Sequence, residues 1–309
     1  MLEIKENVSL ANLTSFRIGG AAKYFVEIEN KNQLEEILEH VKKNSLPFYV
    51  LGGGTNVLVS DKGFDGVVIK IKMNELKFEG ENALMDAGVP LIKAVKSSAA
   101  QGLEGLEALA GVPGTVGGAV RGNAGAYGSV IGEVVENVLA YDTEKMEFLN
   151  FEKKDCDFSY RSSVFKKNPN LIVLSIKLKL AKGSKEVSEQ KVQETIEKRI
   201  ANELQGVKSA GSFFMNPTVQ NQELLDKFQR ERGVPAREGK IPAGWLIDQA
   251  GLRGKKIGGA VVNEKHANYI TNAENATAED VIMLVSVVKQ KVRDEFGVQL
   301  QQEVNYLGF

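Results

Sequence analysis

Glycine is where this sequence is least free. "FYVLGGGTNVLVSD", residues 48–61, sets three consecutive glycines between two apolar runs, and "GVPGTVGGAVRGNAGAYG", residues 111–128, returns to glycine every few positions. A residue without a Cβ is used where the backbone must turn with positive φ or where another group lies against it. The first run does not fit the dinucleotide turn of a doubly wound domain. That turn opens directly into a helix, whereas Gly52, Gly53 and Gly54 lead into the strand-like "TNVLVSD". Nor is it a G-x-x-x-x-G-K-[ST] phosphate loop, because no lysine follows. Two readings remain. One is a tight turn between paired strands; the other is a nest of bare amides for an anion, to which Thr55 and Asn56 add a hydroxyl and an amide. The second segment is too rich in Val and Ala for a flexible linker. It suits a long flat ligand lying on bare backbone, with Pro113 stiffening its start and Thr115 supplying a hydroxyl.

Scarcity narrows the chemistry further. His40 and His266 are the only histidines among 309 residues, so a histidine-rich metal site or a Ser-His-Asp hydrolase would depend on one of them. His40 falls on the polar side of an amphipathic helix pattern; His266 lies in a loop-like stretch and stays open as a functional candidate. No metal site is expected. Cys156 is the only cysteine, which excludes an intrachain disulfide and suits a reducing compartment. A net charge of −1 gives no electrostatic reason to expect nucleic acid or an anionic membrane as partner. No apolar run approaches the roughly 20 residues of a spanning helix, and "MLEIKENVSL" lacks the basic start and apolar stretch of a secretory leader. The expected location is the cytoplasm. A chain rich in glycine and poor in imidazole is better equipped to hold an organic cofactor than to perform histidine chemistry.

Periodicity gives a mixed succession of elements. "AAKYFVEIEN", "FYVLG", "VLVSD", "GVVIKI", "VVENVLAYD" and "LIVLSIKLKL" read as strands. Leu34, Ile37, Leu38 and Val41 repeat at helical spacing, and "PLIKAVKSSAAQG" reads as a helix with Pro90 near its first position. Beyond about residue 184 a polar helix, "KEVSEQKVQETIEKRIANEL", leads to "SAGSFFMNP" and to a helix through "ELLDKFQRER". "IPAGWLIDQAG" predicts a helix stopped by Gly251. Val281, Leu284, Val285, Val288, Val292 and Phe296 line one face of a long helix capped by Thr277. "VQLQQEVNYLG" predicts a closing strand. No steady βαβ rhythm emerges, which favours an α+β fold of several domains over a doubly wound sheet.

Taken in order, "NLTSFRIGG", "LGGGTNVLVSDKGFDGVVI", "GLEALAGVPGTVGGAVRGNAGAYG", "SYRSSVFK", "SAGSFFMNP", "PAGWLIDQAGLRG" and the terminal "EVNYLG" resemble the UDP-N-acetylenolpyruvoylglucosamine reductase (MurB) family over nearly the whole chain. The resemblance implies a two-part FAD-binding module of the vanillyl-alcohol-oxidase (PCMH) type plus a C-terminal α+β substrate-binding domain. It divides the chain into 1–72 (joined by a strand at 299–309), 73–200 and 201–298. It implies non-covalent FAD, with NADPH as co-substrate. The implied reaction reduces UDP-N-acetylglucosamine enolpyruvate to UDP-N-acetylmuramate in peptidoglycan precursor synthesis. FAD contacts would come from Gly52, Gly53, Gly54, Thr55, Asn56, Gly111, Thr115, Gly118, Ala119 and Val173. Tyr127 and Asn216 would face the substrate.

The family's catalytic trio falls on Arg161 in "SYRSS", Ser212 in "AGSFF" and Glu303 in "QEVNYLG". Arg161 offers a permanent forked charge to the substrate carboxylate as enolate character builds there. Ser212 would deliver the proton to the neighbouring carbon, and Glu303, set beside a carboxylate substrate, would favour its protonated form. The short interval between Arg161 and Ser212 resembles the subtype without an extra substrate-covering loop. Met215 stands where many relatives carry a basic residue, so the contacts to the uridine diphosphate are not transferred. Two alternatives stay open at this point: another flavin oxidoreductase of the same fold, and a non-catalytic nucleotide-sugar binding protein that would carry no flavin.

Overall fold

Two apolar cores organise the chain, whose residues 2–201 and 206–309 are described by a computed structural model. One unit comprises Met1–Val8, Ala22–Gly53 and Asp65–Ala201; the other comprises Ser9–Ala21, Gly54–Phe64 and Asn202–Phe309. Each is described by itself.

The first unit is built on two sheets. In one, Ile4–Ser9, Ala21–Ile28, Phe64–Ile71 and Phe48–Leu51 lie in that order, the last two parallel with Leu51 opposite Lys70. Helix α1 (Lys31–Lys43) buries Leu34, Ile37, Leu38 and Val41, the residues that the spacing predicts, and leaves His40 exposed. The Asn30 side chain caps its start by accepting from Gln33 N at 3.0 Å. The second sheet orders Glu147–Glu152, Val135–Asp142, Leu171–Lys179, Asn82–Asp86 and Leu76–Glu79, all antiparallel. Helices α2 (Leu91–Ala100), α3 (Val116–Arg121), α4 (Val164–Lys167) and α5 (Lys185–Ala201) accompany it. Pro90 takes the N-cap of α2, one residue earlier than expected, with its carbonyl accepting from Ala94 N at 3.1 Å. The predicted run of α5 through "NEL" lies outside the described residues.

Short α3 interrupts a stretch that reads as open backbone in the sequence. Thr115 caps it by accepting from Gly118 N at 3.3 Å. Its second residue is Gly117, where a Cβ would stand 2.6 Å from the Cβ of Ala87. The glycine therefore lets this helix sit directly on the sheet.

The second unit orders Ser209–Ser212, Tyr269–Asn272, Ala260–Val262 and Lys256–Ile257 in an antiparallel sheet. Helices α6 (Gln222–Arg232), α7 (Ala243–Gln249) and α8 (Ala278–Phe296) complete it. Gly251, two residues past α7, has φ of 67°, as a left-handed stop requires. Thr277 caps α8, and five of the six stripe residues are buried along it, Phe296 being half-buried. The closing strand is shorter than its alternation predicts. Asn305–Leu307 pairs in parallel with Val57–Val59, while residues 301–303 turn to bond the segment after Ser212.

Candidate active site

In the first unit the two glycine segments meet. Gly52 follows directly on the strand Phe48–Leu51, and a Cβ built on it would come within 3.0 Å of Thr115 Oγ1. The strand's last register partner, Lys70, donates from Nζ to the Gly52 carbonyl at 2.5 Å. Gly111 and Gly114 have φ of 77° and 125°, so the approach to Thr115 is made of backbone that side chains rarely allow. Gly118 is exposed on α3; Ala119 and Val173 are buried, the latter on the strand Leu171–Lys179.

Arg161 lies in the same unit, and the structure brings it to the base of the hairpin that carries Tyr127. The hairpin Gly125–Ala126 and Ser129–Val130 is closed by Tyr127 and Gly128, both at positive φ (53° and 90°), which is the twist of a two-residue primed turn. The turn leaves Tyr127 58% exposed. Arg161 Nη2 donates to Gly125 O at 3.0 Å, and its guanidinium stands 5.5 Å from the ring centre of Tyr160. Its own backbone is left-handed, at φ of 55°, inside a tight loop where Ser159 and Ser162 exchange both backbone hydrogen bonds. Two neighbours pin that loop: Lys166 Nζ donates to Arg161 O at 2.9 Å, and Asn123 Nδ2 to Ser159 O at 2.9 Å. A charged side chain held this way loses little orientation when an anion arrives.

In the second unit Ser212 and Glu303 are brought together. Ser212 ends the strand Ser209–Ser212 after a register shift, and Gly211 before it has φ of 79°. Glu303 N donates to Phe213 O at 2.8 Å, and Met215 N to Gln301 O at 2.9 Å, so Glu303 is anchored one residue from Ser212. Asn268 clasps the same segment: its Oδ1 accepts from Phe214 N at 3.0 Å and its Nδ2 donates to Phe214 O at 2.8 Å. Asn56 joins from the glycine turn, donating from Nδ2 to Glu303 O at 3.4 Å and accepting from Asn305 Nδ2 at 3.0 Å. Gly54, three residues after Leu51, is closed against this unit, since a Cβ there would fall 2.2 Å from Leu13 O. Thr55, next in the chain, is half-buried. Asn216 Oδ1 accepts from Ala243 N at 3.0 Å and holds the start of α7.

Against known families, residues 22–143 match the FAD binding domain and residues 199–307 match the UDP-N-acetylenolpyruvoylglucosamine reductase C-terminal domain. The reductase of Carboxydothermus hydrogenoformans is 38% identical, covering 99% of this chain and 94% of that one. That of Anoxybacillus flavithermus is 37% identical over 99% and 94%. The chain belongs to the UDP-N-acetylenolpyruvoylglucosamine reductase family. The crystal structure of a Thermus caldophilus member has the same fold, with a TM-score of 0.76, 30% identity and 99% of each chain covered.

Members of this family are FAD-dependent oxidoreductases of peptidoglycan precursor synthesis. FAD is accordingly the cofactor, and the residues present fit it. Bare backbone at Gly52 stands against the Thr115 hydroxyl, a cradle that one added methyl would crowd. Among the described residues no group of His, Cys, Asp and Glu is arranged to hold a metal ion, and no helix is long and apolar enough to cross a membrane.

Two side chains near the glycine turn escape sequence reasoning. Burial pushes the Tyr49 phenol up, against the opposing charge of Arg121. Burial and the like charge of Lys72 pull the Lys70 ammonium below its ordinary 10.5, with Glu27 opposing. The available signal for Lys70 is modest: a lysine at the end of "GVVI", four residues that the fold buries almost completely.

Proposed function

We propose that this protein transfers hydride from NADPH, through bound FAD, to UDP-N-acetylglucosamine enolpyruvate, yielding UDP-N-acetylmuramate in the cytoplasm, with Arg161, Ser212 and Glu303 as its catalytic residues. The observation that carries the reading is the full-length family match, joined to the anchoring of Glu303 one residue from Ser212. FAD supplies the hydride relay. The side chains handle charge and protons.

Arg161 neutralises the substrate carboxylate as electron density moves onto it, a task for which a permanently charged, forked donor is suited. Ser212 Oγ gives the proton to the carbon next to the one that receives hydride. A hydroxyl is a weak acid, so its position must do most of the work; the register shift before Ser212 and the backbone bond from Glu303 N to Phe213 O, which hold the neighbouring backbone, support this role. Glu303 next to a carboxylate is favoured in its protonated form, able to donate a hydrogen bond. Tyr127 and Asn216 are assigned to the substrate. Pyrophosphate of the cofactor is assigned to the turn at residues 52–56, and its remaining contacts to Gly111, Thr115, Gly118, Ala119 and Val173.

An anaerobic absorbance titration tests the reading. The flavin band should bleach with NADPH and return with the enolpyruvyl substrate; a band that stays bleached would move the activity to a different acceptor. Ser212→Ala should slow the second step by roughly 10²-fold or more, the usual contribution of a positioned acid, while NADPH bleaching continues at the wild-type rate. A Glu303→Gln enzyme with full turnover would remove any need for a titrating group at that position.

A further inference from the structure

Lys70 is not explained by the fold alone. It sits on Phe64–Ile71, where Gly66, Val67, Val68, Ile69 and Ile71 are buried, and a cation there forfeits hydration. Among the described residues it forms no ion pair. Its one recorded hydrogen bond runs to a neutral acceptor, the Gly52 carbonyl at 2.5 Å. A structural lysine of this kind would be replaced at little cost by an apolar residue if that carbonyl could face water.

The consequence lies on the other side of the peptide. The Gly52–Gly53 bond is trans, as are all the described peptides, so its C=O and N–H point in opposite directions. Tying the carbonyl to Lys70 aims the Gly53 N–H away from the lysine ammonium. No described residue accepts from that N–H. At a glycine the peptide plane is otherwise nearly free to rotate, which would spread this donor over many directions.

We propose that Lys70 is a positioning residue for the cofactor's pyrophosphate, holding the Gly52–Gly53 peptide so that the Gly53 N–H faces a phosphate oxygen. The proposal rests on the assignment of the pyrophosphate to this turn. It separates Lys70 from a charge that merely attracts anions: the lysine acts through a backbone donor, and its effect is confined to ligands that carry the phosphates.

The test compares two flavins on the full-length apoprotein by fluorescence titration. With Lys70→Met, the dissociation constant for FAD should rise about tenfold or more, the loss typical of one charge-assisted hydrogen bond. Riboflavin, which has no phosphate, should bind within about twofold of wild type. Equal weakening of both flavins would mean a purely structural lysine, and an unchanged FAD constant would end the proposal. Lys70→Leu, which likewise removes the donor, serves if the methionine variant does not fold, with the same outcomes read from it.

The underlying assignment is checked separately on wild-type apoprotein with glycine labelled at carbonyl carbon and nitrogen, which selects Gly–Gly peptides in NMR spectra. Inorganic pyrophosphate should move the Gly52–Gly53 signal. If it does not, the pyrophosphate assignment falls and the Lys70 proposal with it. If the signal moves while K70M binds FAD normally, only Lys70 has been misread.

Discussion

Cys156 illustrates how a single side chain can be chemically quiet. It is fully buried, its Sγ lies 3.4 Å from Glu152 O, and burial with the nearby Asp155 raises its pKa from 9.0 to about 11. Only thiolate attacks electrophiles, so at neutral pH that rise lowers the reactive fraction about 100-fold. Iodoacetamide at pH 7.5 should therefore leave the native protein unlabelled over the time in which urea-unfolded protein is labelled completely; mass spectrometry reads the difference. Rapid labelling of the folded protein would show that the thiol is reachable and ionised. At this scale the sequence exposes backbone demands better than partnerships. Gly54 announces itself, and its need is real, because a Cβ would strike Leu13 O at 2.2 Å. Lys70 does not, because its acceptor becomes a neighbour only through the parallel register that sets Leu51 beside it. Sequence spacing carries no record of that register.

The start of α8 shows how an element is held from several places at once. Thr277 Oγ1 accepts from Asp280 N and Asp280 Oδ2 accepts from Thr277 N, both at 3.0 Å, a reciprocal capping box. Asp280 Oδ2 also accepts from Gly259 N at 3.1 Å, and Asp61 accepts from Ala278 N at 2.9 Å. Backbone donors from Thr277 and Gly259 hold the Asp280 carboxyl below its ordinary 3.8. Because the folded value lies below the unfolded one, this stabilisation is complete above about pH 3.8 and is lost as pH falls through the lower folded value. Asp280→Ala should cost roughly 0.5–2 kcal/mol in urea denaturation at pH 7, the range for a lost cap. The deficit should shrink as wild type and variant are compared at progressively lower pH below that point. A difference that persists unchanged into strong acid would assign the loss to packing. Most elements of this kind are legible from sequence: α1, α7 and α8 carry apolar spacing with caps or stops, and they form where that pattern places them. Short α3 is not legible, since its second and third residues are glycines and its stability comes from Thr115 and from contact with Ala87.

For the whole molecule, chain order and spatial order part company. The α+β class follows from strands and helices mixed without a βαβ rhythm, and collinear motifs carry the family. What periodicity cannot convey is that the second unit collects Ser9–Ala21, Gly54–Phe64 and Asn202–Phe309, which the sequence separates. The same gap hides the approach of Asn56 to Glu303, 247 positions away, and the pairing of Val57–Val59 with Asn305–Leu307. Long-range pairing of this kind depends on which loops close, and local spacing is silent about it. The consequence is measurable because the family's C-terminal domain matches residues 199–307 as one continuous piece. A fragment of residues 199–309 would lack Phe16, Ile18 and Leu58, all at most 2% exposed within the core of that unit. It would also lack the strand partner of Asn305–Leu307, and Asp61 at the head of α8. Burying side chains of that size contributes about 1.5–3 kcal/mol each, comparable with the whole net stability of many domains when summed over three. The isolated fragment should therefore show poorly dispersed amide NMR signals and no cooperative urea transition. Supplying residues 9–21 and 54–64 through an engineered connection should restore dispersion. A fragment that unfolds cooperatively without them would mean that the contiguous segment holds a sufficient core alone, and that the two earlier segments are docked onto a domain already formed.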